Sequence, residues 1–357
     1  MIFYVSVSYA MIFLRFALKG RPRLRVRIYP FLLALLFVFS AFRLEVGCDW
    51  SGYLNQWNVQ EISTLELALR NTEPTWWAII QGLQISGLSY PWLNVASSAL
   101  FFIGIHVLAR RQPDPLAFLV LLFPILIINM PMSGIRQAAA IGLICIAFVA
   151  FMDKNLFRFV AWTLLASTIH NSAVIFLLLA PLVGGDYTKK RLMTAAFLAM
   201  PGAFVLLSGD AVQQGISRYV ATGVDAAGAV FRVGLLFITG LGYFLVLRGK
   251  WKVSFPRDYK LVSVGALMMA ASIGLVPYSS VIADRLGYYL IPIQTMIFAR
   301  VPYLPIRTFR TFYSAAPYLA LGLFFLAWTY VSDHFTLCYV PYQTWFFGFP
   351  ASAIYSY

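Results

Sequence analysis

Charged residues are scarce in this chain. Asp, Glu, Lys and Arg together make up 11% of the 357 residues, whereas hydrophobic residues make up 61% and the mean hydropathy is +0.78. Soluble globular chains carry about 25% charged residues, so the composition excludes that class. Apolar runs of about 15–20 residues recur along the sequence, and such runs are typical of transmembrane helices. The sequence therefore predicts an all-α, polytopic integral membrane protein.

Several enzyme motifs are also absent. The sequence has no Asp-x-Asp pair, no Walker A loop, no His-Glu-x-x-His and no Gly-x-Ser-x-Gly. These absences argue against a metal-bridged nucleotide-sugar site, ATP-driven transport, metal-assisted hydrolysis and a serine nucleophile elbow. The three histidines are scattered without metal-ligand spacing, so we expect neither a metal nor another cofactor.

Cysteine is rare as well, with three residues in the chain. Cys145 falls in the middle of a predicted span and is expected to serve packing. Cys48 and Cys338 could both face an oxidising compartment, so a disulfide between them is conceivable. Three cysteines define no metal framework.

The apolar runs predict about twelve spans in one transmembrane domain over residues 1–357. The predicted spans are 2–18, 28–42, 91–109, 115–130, 137–152, 157–169, 172–184, 192–208, 231–247, 261–277, 286–300 and 313–331. Segment 74–90 contains several glycines and glutamines, which weaken it as a lipid-facing span. We place it as a re-entrant or interfacial helix on the outer side, with Pro74 in its first turn.

Basic residues set the predicted orientation. In the predicted topology, segment 74–90 lies outside, and segment 157–184 turns back at His170 as two short helices. This arrangement places 21 of the 27 basic residues in inner loops, as the positive-inside rule requires. If segment 74–90 crossed the membrane, the basic loops immediately downstream would lie outside. The extracytoplasmic loops are then 43–90 and 209–230, and the second is expected to hold an interfacial helix.

The basic residues left on the outer face are all arginines, whereas all seven lysines fall inside. The planar donor fork of Arg matches phosphate oxygens, whereas Lys is a point charge. This face therefore suits a lipid-diphosphate site. The alternative is that an all-Arg set of six residues arises by chance. The six residues are Arg43, Arg70, Arg136, Arg218, Arg232 and Arg285.

Segment 41–53 carries the densest polar group at a predicted membrane exit. Gly47 and Gly52 are expected to free the backbone for a tight turn. Arg43 and Asp49 could then face one small volume. The alternative is an ordinary interfacial loop with aromatic anchors.

Three further polar positions interrupt the apolar runs. Arg136 begins a span, where the helix dipole favours a bound anion, and a snorkelling side chain is the alternative. His170 lies at a turn between two short helices, where a cavity-lining role competes with a structural one. Asp284 and Arg285 form either a local ion pair or, through Arg285, a contact to diphosphate or sugar; Arg232 is a weaker candidate.

Taken together, these motifs resemble the EpsG-type exopolysaccharide polymerases, a Wzy-like family of bacterial envelope proteins. The family's motifs are matched in order by Arg43, Gly47-Cys48-Asp49-Trp50 and Tyr53, Glu73-Pro74-Thr75-Trp76, Gly134-Ile135-Arg136-Gln137, Ile169-His170-Asn171-Ser172-Ala173, Arg285 with Tyr288-Tyr289, and Pro341-Tyr342-Gln343-Thr344. The resemblance covers nearly the whole chain. The departures from the family pattern are Cys48 for Thr, Thr75 for Gly and Ile169 for Phe.

The resemblance implies a polymerase of the bacterial inner membrane, with a GT-C-like architecture and an active site facing the periplasm or cell exterior. Such an enzyme would transfer a growing glycan from polyprenyl diphosphate to the non-reducing end of a polyprenyl-diphosphate-linked oligosaccharide. The expected partners are this substrate, membrane lipid, a flippase and a chain-length regulator, and not nucleic acid. The alternatives are a flippase or exporter of the same lipid-linked sugar, and an O-acyltransferase.

The implied reaction needs stabilisation of a departing diphosphate and a base for the acceptor hydroxyl. We expect Arg136, with Arg43 or Arg285, to bind the diphosphate. Asp49 is the first candidate base and His170 the second. The remaining residues expected at the substrate are Glu73, which is also the third candidate base, Gln137, Arg232, and Trp50, Tyr53 and Trp76 for stacking on sugar rings.

Overall fold

The structure is a computed structural model that describes residues 1–61, 73–184, 188–190, 193–194, 197, 228–306 and 309–354. In these ranges the chain is helical and contains no β-strand, and an isolated bridge pairs Arg43 with Thr344. The all-α prediction is confirmed for this part of the chain. Arg70, Arg218 and nearly all of the predicted segments 192–208 and 209–230 lie outside the described residues.

The α-helices, numbered along the described residues, are α1 Ile2–Ala17, α2 Pro22–Ala41, α3 Trp50–Glu61, α4 Pro74–Ile85, α5 Pro91–Ala109, α6 Pro115–Leu122, α7 Ile135–Met152, α8 Leu156–Ser167, α9 Ala229–Gly242, α10 Arg248–Ser254, α11 Tyr259–Ser272, α12 Ser280–Arg300, α13 Arg310–Val331 and α14 Asp333–Tyr339. The π-helical turn Phe123–Ile127 extends α6, and the turn Tyr243–Leu247 joins α9 to α10. Residues Asn171–Leu182 form 3₁₀ turns.

Within the described residues, 5 helices are long and apolar enough to cross a membrane: Pro22–Ala41, Pro91–Ala109, Ile135–Met152, Ala229–Ser254 and Arg310–Val331. Shorter apolar helices coincide with further predicted spans: Ile2–Ala17, Pro115–Ile127, Leu156–Ser167, Asn171–Leu182 and Tyr259–Leu275. These helices agree with a helical membrane protein. The count of twelve spans and the GT-C-like architecture stay predictions.

Helix α4 occupies the first part of segment 74–90. Its 12 residues extend about 18 Å at 1.5 Å per residue, which is shorter than a hydrocarbon core of about 30 Å. This length fits the predicted re-entrant or interfacial helix, and Pro74 stands in the first turn as expected. The segment predicted as outer loop 43–90 also contains the helix α3, which the sequence did not predict.

The chain divides into two compact units. Unit 1 comprises residues 1–142, 168–171 and 311–357, and unit 2 comprises 143–167 and 172–310. The single transmembrane domain over 1–357 stays a prediction.

Close helix packing in unit 1 depends on small residues. Helix α2 packs against α5 and α6. Helix α5 packs against α7 where Gly104 faces Gly142. The approach is close, since a Cβ on either glycine would overlap backbone atoms of the facing helix. Small residues at such crossings let membrane helices approach closely.

A buried carboxylate connects three helices of unit 1. Asp114 is 1% exposed, and its Oδ1 accepts the N–H of Ala117 at 3.1 Å, which caps the start of α6. Its Oδ2 pairs with Nη2 of Arg15 at 2.7 Å and with Arg25 of α2. Both arginines are therefore held in place by one acidic side chain.

Replacing Asp114 by Ala should lower the free energy of unfolding by about 3–5 kcal/mol, because it removes the counter-charge from the buried guanidinium of Arg15. Denaturant titration of the purified protein in detergent, followed by circular dichroism, measures this loss. Asp153→Ala is the matched control, because the partner of Asp153 is Arg257, whose side chain is 58% exposed. Exposed ion pairs contribute about 0–1 kcal/mol. Equal losses in the two variants would contradict the prediction.

Candidate functional site

Arg43 lies just after α2 and is buried, with 1% of its surface exposed. Its Nε donates to the carbonyl of Val46 at 2.9 Å and its Nη1 to the carbonyl of Ser40 at 2.9 Å. Its Nη2 donates to Oδ1 of Asn94 on α5 at 2.8 Å. Burial lowers the pKa of Arg43 to about 10, so the guanidinium still carries its charge near neutral pH.

The contacts of Arg43 differ from those expected of a residue that binds a diphosphate. All three guanidinium nitrogens donate to protein acceptors, and the group lies over the ring of Trp50 at 5.7 Å. This environment fixes the backbone of residues 40–46 from the inside. Direct binding of the diphosphate by Arg43 stays a prediction, which these contacts do not favour.

Gly47 brings the segment after Arg43 onto the turn 130–134. Its φ is +107°, and its N–H donates to the carbonyl of Cys338 at 2.7 Å. A Cβ at this position would overlap the carbonyl of Met132. Asp49 follows on the same loop, is exposed, and accepts the hydroxyl of Ser133 on Oδ2 at 3.2 Å.

Replacing Gly47 by Ala should lower the free energy of unfolding by at least about 2 kcal/mol, because the left-handed φ costs about 1–2 kcal/mol and the new Cβ meets a backbone carbonyl. Unfolding of the purified variant in detergent measures the loss.

Gly52→Ala is the matched control for Gly47→Ala. Gly52 lies inside α3 with nothing within 4 Å of an added Cβ, so the structure corrects the expectation that both glycines shape the turn. Ala in a helix interior is favoured over Gly by about 0.5–1 kcal/mol, so this variant should be as stable as the wild type or slightly more so. A Gly47→Ala variant as stable as Gly52→Ala would contradict the close approach.

Glu73, at the start of α4, joins two other segments of unit 1. Its Oε2 pairs with Nη1 of Arg136, and its Oε1 accepts the N–H of Asn171 at 3.0 Å. The carbonyl of Thr168 accepts the N–H of Thr75 at 3.0 Å, and the hydroxyls of these two threonines lie 2.7 Å apart. Segment 168–171 is therefore docked on the N-terminus of α4.

Arg136 is the second residue of α7. Its side chain is 28% exposed, so the guanidinium reaches solvent while it pairs with Glu73. Its backbone nitrogen lies 3.5 Å from the hydroxyl of Tyr53 on α3, and the ring of Tyr53 packs edge-on against Trp76 of α4 at 5.9 Å. The ends of α3, α4 and α7 thus meet around Arg136.

The other predicted residues of unit 1 are more enclosed. His170 precedes Asn171 and is 7% exposed, and Gln137 is 5% exposed. Trp50 and Trp76 are buried in the core, whereas Tyr53 is half-buried. A sugar ring could therefore stack on Tyr53 with little change, but on the two tryptophans only after rearrangement.

We call the group formed by Asp49, Tyr53, Glu73, Arg136 and His170 the polar cluster of unit 1. It combines a partly exposed guanidinium at a helix N-terminus with two carboxylates, a phenol and an imidazole. The guanidinium and the helix N-terminus favour an anion. The exposed carboxylate of Asp49, which accepts the hydroxyl of Ser133 three residues before Arg136, can accept a proton.

Arg232 and Arg285 belong to unit 2, in which Arg232 forms a bidentate ion pair with Asp284. The distances are 2.7 Å from Nε to Oδ1 and 2.8 Å from Nη2 to Oδ2, and the guanidinium lies over the ring of Tyr288 at 5.4 Å. Arg232 is thus a partner of Asp284 that the sequence did not indicate, and both alternatives for Arg285 stay predictions. Contacts of Arg232 and half-buried Arg285 to substrate stay predictions.

Several residues of the site were missed by sequence reasoning. Ser133 directly precedes the Gly-x-Arg-Gln motif, and its position beside Asp49 could not be read from the motif alone. Asn94 is a lone buried amide in an apolar helix, a signal that could have been noticed. Thr168 is the third residue that was missed, and its carbonyl accepts the N–H of Thr75 at the start of α4.

The structure also settles the pairing of the cysteines. Cys48 and Cys338 form a disulfide, and Cys145 is free and buried, as its predicted packing role requires. His334 lies four residues before Cys338 on α14, with Nε2 at 3.1 Å from Sγ of Cys48. The histidines are therefore not all isolated from possible metal ligands, contrary to the expectation from their spacing.

Comparison with known families matches residues 26–344 to the EpsG family. No curated protein and no solved structure matches the chain significantly. The matched range contains every residue of the polar cluster and both cysteines of the disulfide. The family points to a polysaccharide polymerase in general terms. Because the match covers nearly the whole chain, this protein belongs to the EpsG family.

Proposed function

We propose that this protein transfers a growing glycan from polyprenyl diphosphate to the non-reducing end of a polyprenyl-diphosphate-linked oligosaccharide, at the outer face of the bacterial inner membrane. The observation that carries the proposal is the meeting of Arg136, Glu73 and Asp49 with Tyr53 in unit 1. Family membership supports the polymerase class. A flippase that supplies the substrate and a chain-length regulator are the proposed protein partners.

In this proposal Arg136 binds the diphosphate. The leaving group departs as an anion, so it needs charge stabilisation more than a proton. The donor fork of Arg and the N-terminus of α7 provide positive potential at one point. Arg136 is the basic residue of the polar cluster with a partly exposed guanidinium, which supports its choice over the enclosed Arg43.

Asp49 is the proposed base for the acceptor hydroxyl. Its Oδ2 is oriented by Ser133, and its Oδ1 has no hydrogen-bond donor among the described residues. Glu73 is a weaker candidate, because both of its oxygens are already engaged by Arg136 and Asn171. His170 remains the second candidate. It adjoins Asn171, which contacts Glu73, but its burial ranks it behind the exposed Asp49.

Arg43 is proposed to act indirectly, as a positioning residue. Its hydrogen bonds to Ser40, Val46 and Asn94 anchor the segment that leads to Asp49. A cation that satisfies three buried acceptors holds a loop more rigidly than a neutral side chain, because charge-assisted hydrogen bonds are stronger.

The alternative function, a flippase or exporter of the same lipid-linked sugar, is less well supported. A transport path would need cationic residues through the depth of the membrane. In unit 1 the described contacts instead place the partly exposed guanidinium of Arg136 beside Glu73, and a second carboxylate, Asp49, on Ser133 three residues before Arg136. This grouping suits a reaction at one location.

The test is to incubate the purified protein in detergent with a lipid-diphosphate-linked repeat unit and to separate the products on a gel. A ladder with the spacing of the repeat unit is expected. The control substrate is the same oligosaccharide without its lipid diphosphate, which should give no ladder. Unchanged lipid-linked monomer under all conditions would overturn the proposal and leave transport or a partner role.

A further inference from the structure

A covalent bond lies directly beside the proposed base. Cys48 precedes Asp49, and its partner Cys338 lies 290 residues further along the chain in α14. Both cysteines are half-buried and belong to unit 1. The two segments are also joined by the hydrogen bond from Gly47 N–H to the carbonyl of Cys338.

The loop that carries Asp49 is held at two places. On one side Gly47 and Asp49 contact the turn 130–134, through the carbonyl of Met132 and the hydroxyl of Ser133. On the other side the loop is tied to α14 by the disulfide. The disulfide is the covalent attachment of this loop, so it restricts the loop more strongly than the single hydrogen bond between Oδ2 and Ser133.

His334 gives this disulfide a specific chemistry. It lies on α14 one turn before Cys338, is exposed, and places Nε2 at 3.1 Å from Sγ of Cys48 and at 3.9 Å from Sγ of Cys338. An imidazole N–H beside a sulfur stabilises its thiolate. A better leaving thiolate speeds thiol–disulfide exchange, so Cys48 is the favoured leaving group.

We propose that the Cys48–Cys338 disulfide positions Asp49 for polymerisation, and that an external dithiol opens it by exchange assisted by His334. One thiolate of the dithiol attacks Sγ of Cys338, and Cys48 leaves as a thiolate that His334 stabilises. The second thiol of the dithiol then attacks the mixed disulfide and releases Cys338. The dithiol is oxidised to its own disulfide, and the cysteine pair gains two electrons and two protons.

The first claim rests on the proposed function and is tested by activity in a Cys145→Ser background. Opening the bond with dithiothreitol, or replacing Cys338 by Ser, should lower kcat by about 10- to 100-fold, because small misplacements of a catalytic group have effects of this size. KM for the lipid-linked unit should change less than twofold. Reoxidation of the reduced protein should restore kcat, which a merely misfolded variant would not allow. Full kcat in Cys338→Ser would overturn the positioning role.

The second claim is tested without any polymerase assay. Thiol titration of the denatured Cys145→Ser protein should find no free thiol before reduction and two after it. His334→Gln should slow the opening by dithiothreitol about tenfold, because the leaving thiolate loses its donor. It should leave polymerisation by the oxidised protein unchanged. Opening at the wild-type rate would overturn the role of His334.

A bound metal is the competing outcome. Once reduced, Cys48, His334 and Cys338 would present two thiolates and an imidazole within 4.8 Å of one another, a donor set suited to Zn²⁺ or Cu⁺. Two free thiols and one metal ion per chain in the freshly purified Cys145→Ser protein would overturn the disulfide proposal. If the wild type forms no ladder at all, the proposed function fails, whereas the thiol count and the exchange rates still decide the chemistry of the pair.

Discussion

Replacing Arg136 by Lys should lower the rate of polymerisation by about 100-fold, although the positive charge is kept. Loss of one donor that stabilises the charge of a transition state typically costs about 100- to 1,000-fold in rate. Lys offers a point charge on a flexible stem and cannot form the paired hydrogen bonds of a guanidinium fork. The initial rate of ladder formation at saturating lipid-linked repeat unit measures the effect.

Arg23→Lys is the control for Arg136→Lys, because Arg23 is an exposed basic residue of α2 in the same unit. This variant should polymerise at the wild-type rate. If Arg136→Lys produces chains of wild-type length at the wild-type rate, bidentate binding of the diphosphate is wrong and a simple charge suffices.

Replacing Asp49 by Asn should lower kcat by about 100- to 10,000-fold, the usual range for the loss of a general base. An amide keeps an oxygen that can accept the hydroxyl of Ser133, so the loop should stay in place. It cannot take a proton from the acceptor sugar. Binding of the lipid-linked unit, measured by retention on the immobilised protein, should be close to that of the wild type.

Asp333→Asn is the matched carboxylate control, since Asp333 is exposed at the start of α14 in the same unit. It should leave kcat unchanged. Full activity in Asp49→Asn would transfer the base role to His170, and His170→Gln would then have to show the loss.

The helices could be predicted where the physical signal is hydropathy. A long apolar run has one stable form in a bilayer, so α5, α7 and α13 were found close to their observed bounds. Helix α3 was missed, because Trp50–Glu61 mixes polar and aromatic residues without an apolar run. Its helical form depends on tertiary contacts: Tyr53 packs against Trp76 of α4, and Trp57 packs against Tyr90.

The polar cluster could be predicted only in part. The positions of Asp49 and Arg136 at predicted span ends indicated a shared location. The bridge from Glu73 to Asn171 joins residues 98 positions apart, and no local pattern specifies such a contact. The burial of Arg43 could not be predicted either, because an Arg after a predicted span looks the same in the sequence whether its side chain is buried or exposed. Asn94 stands out in the sequence as a lone amide of an apolar helix, but its pairing with Arg43 depends on the packing of α2 against α5.

The ion pair between Glu73 and Arg136 has a consequence for turnover. In the proposed reaction a diphosphate approaches a guanidinium that already pairs with Glu73, and the negative charge of that carboxylate weakens the attraction of Arg136 for a second anion. If Arg136 binds the diphosphate, Glu73 competes with the departing lipid carrier for the guanidinium and so weakens the binding of that carrier. In the proposed polymerisation, which releases one carrier for each added unit, this competition would favour release of the carrier.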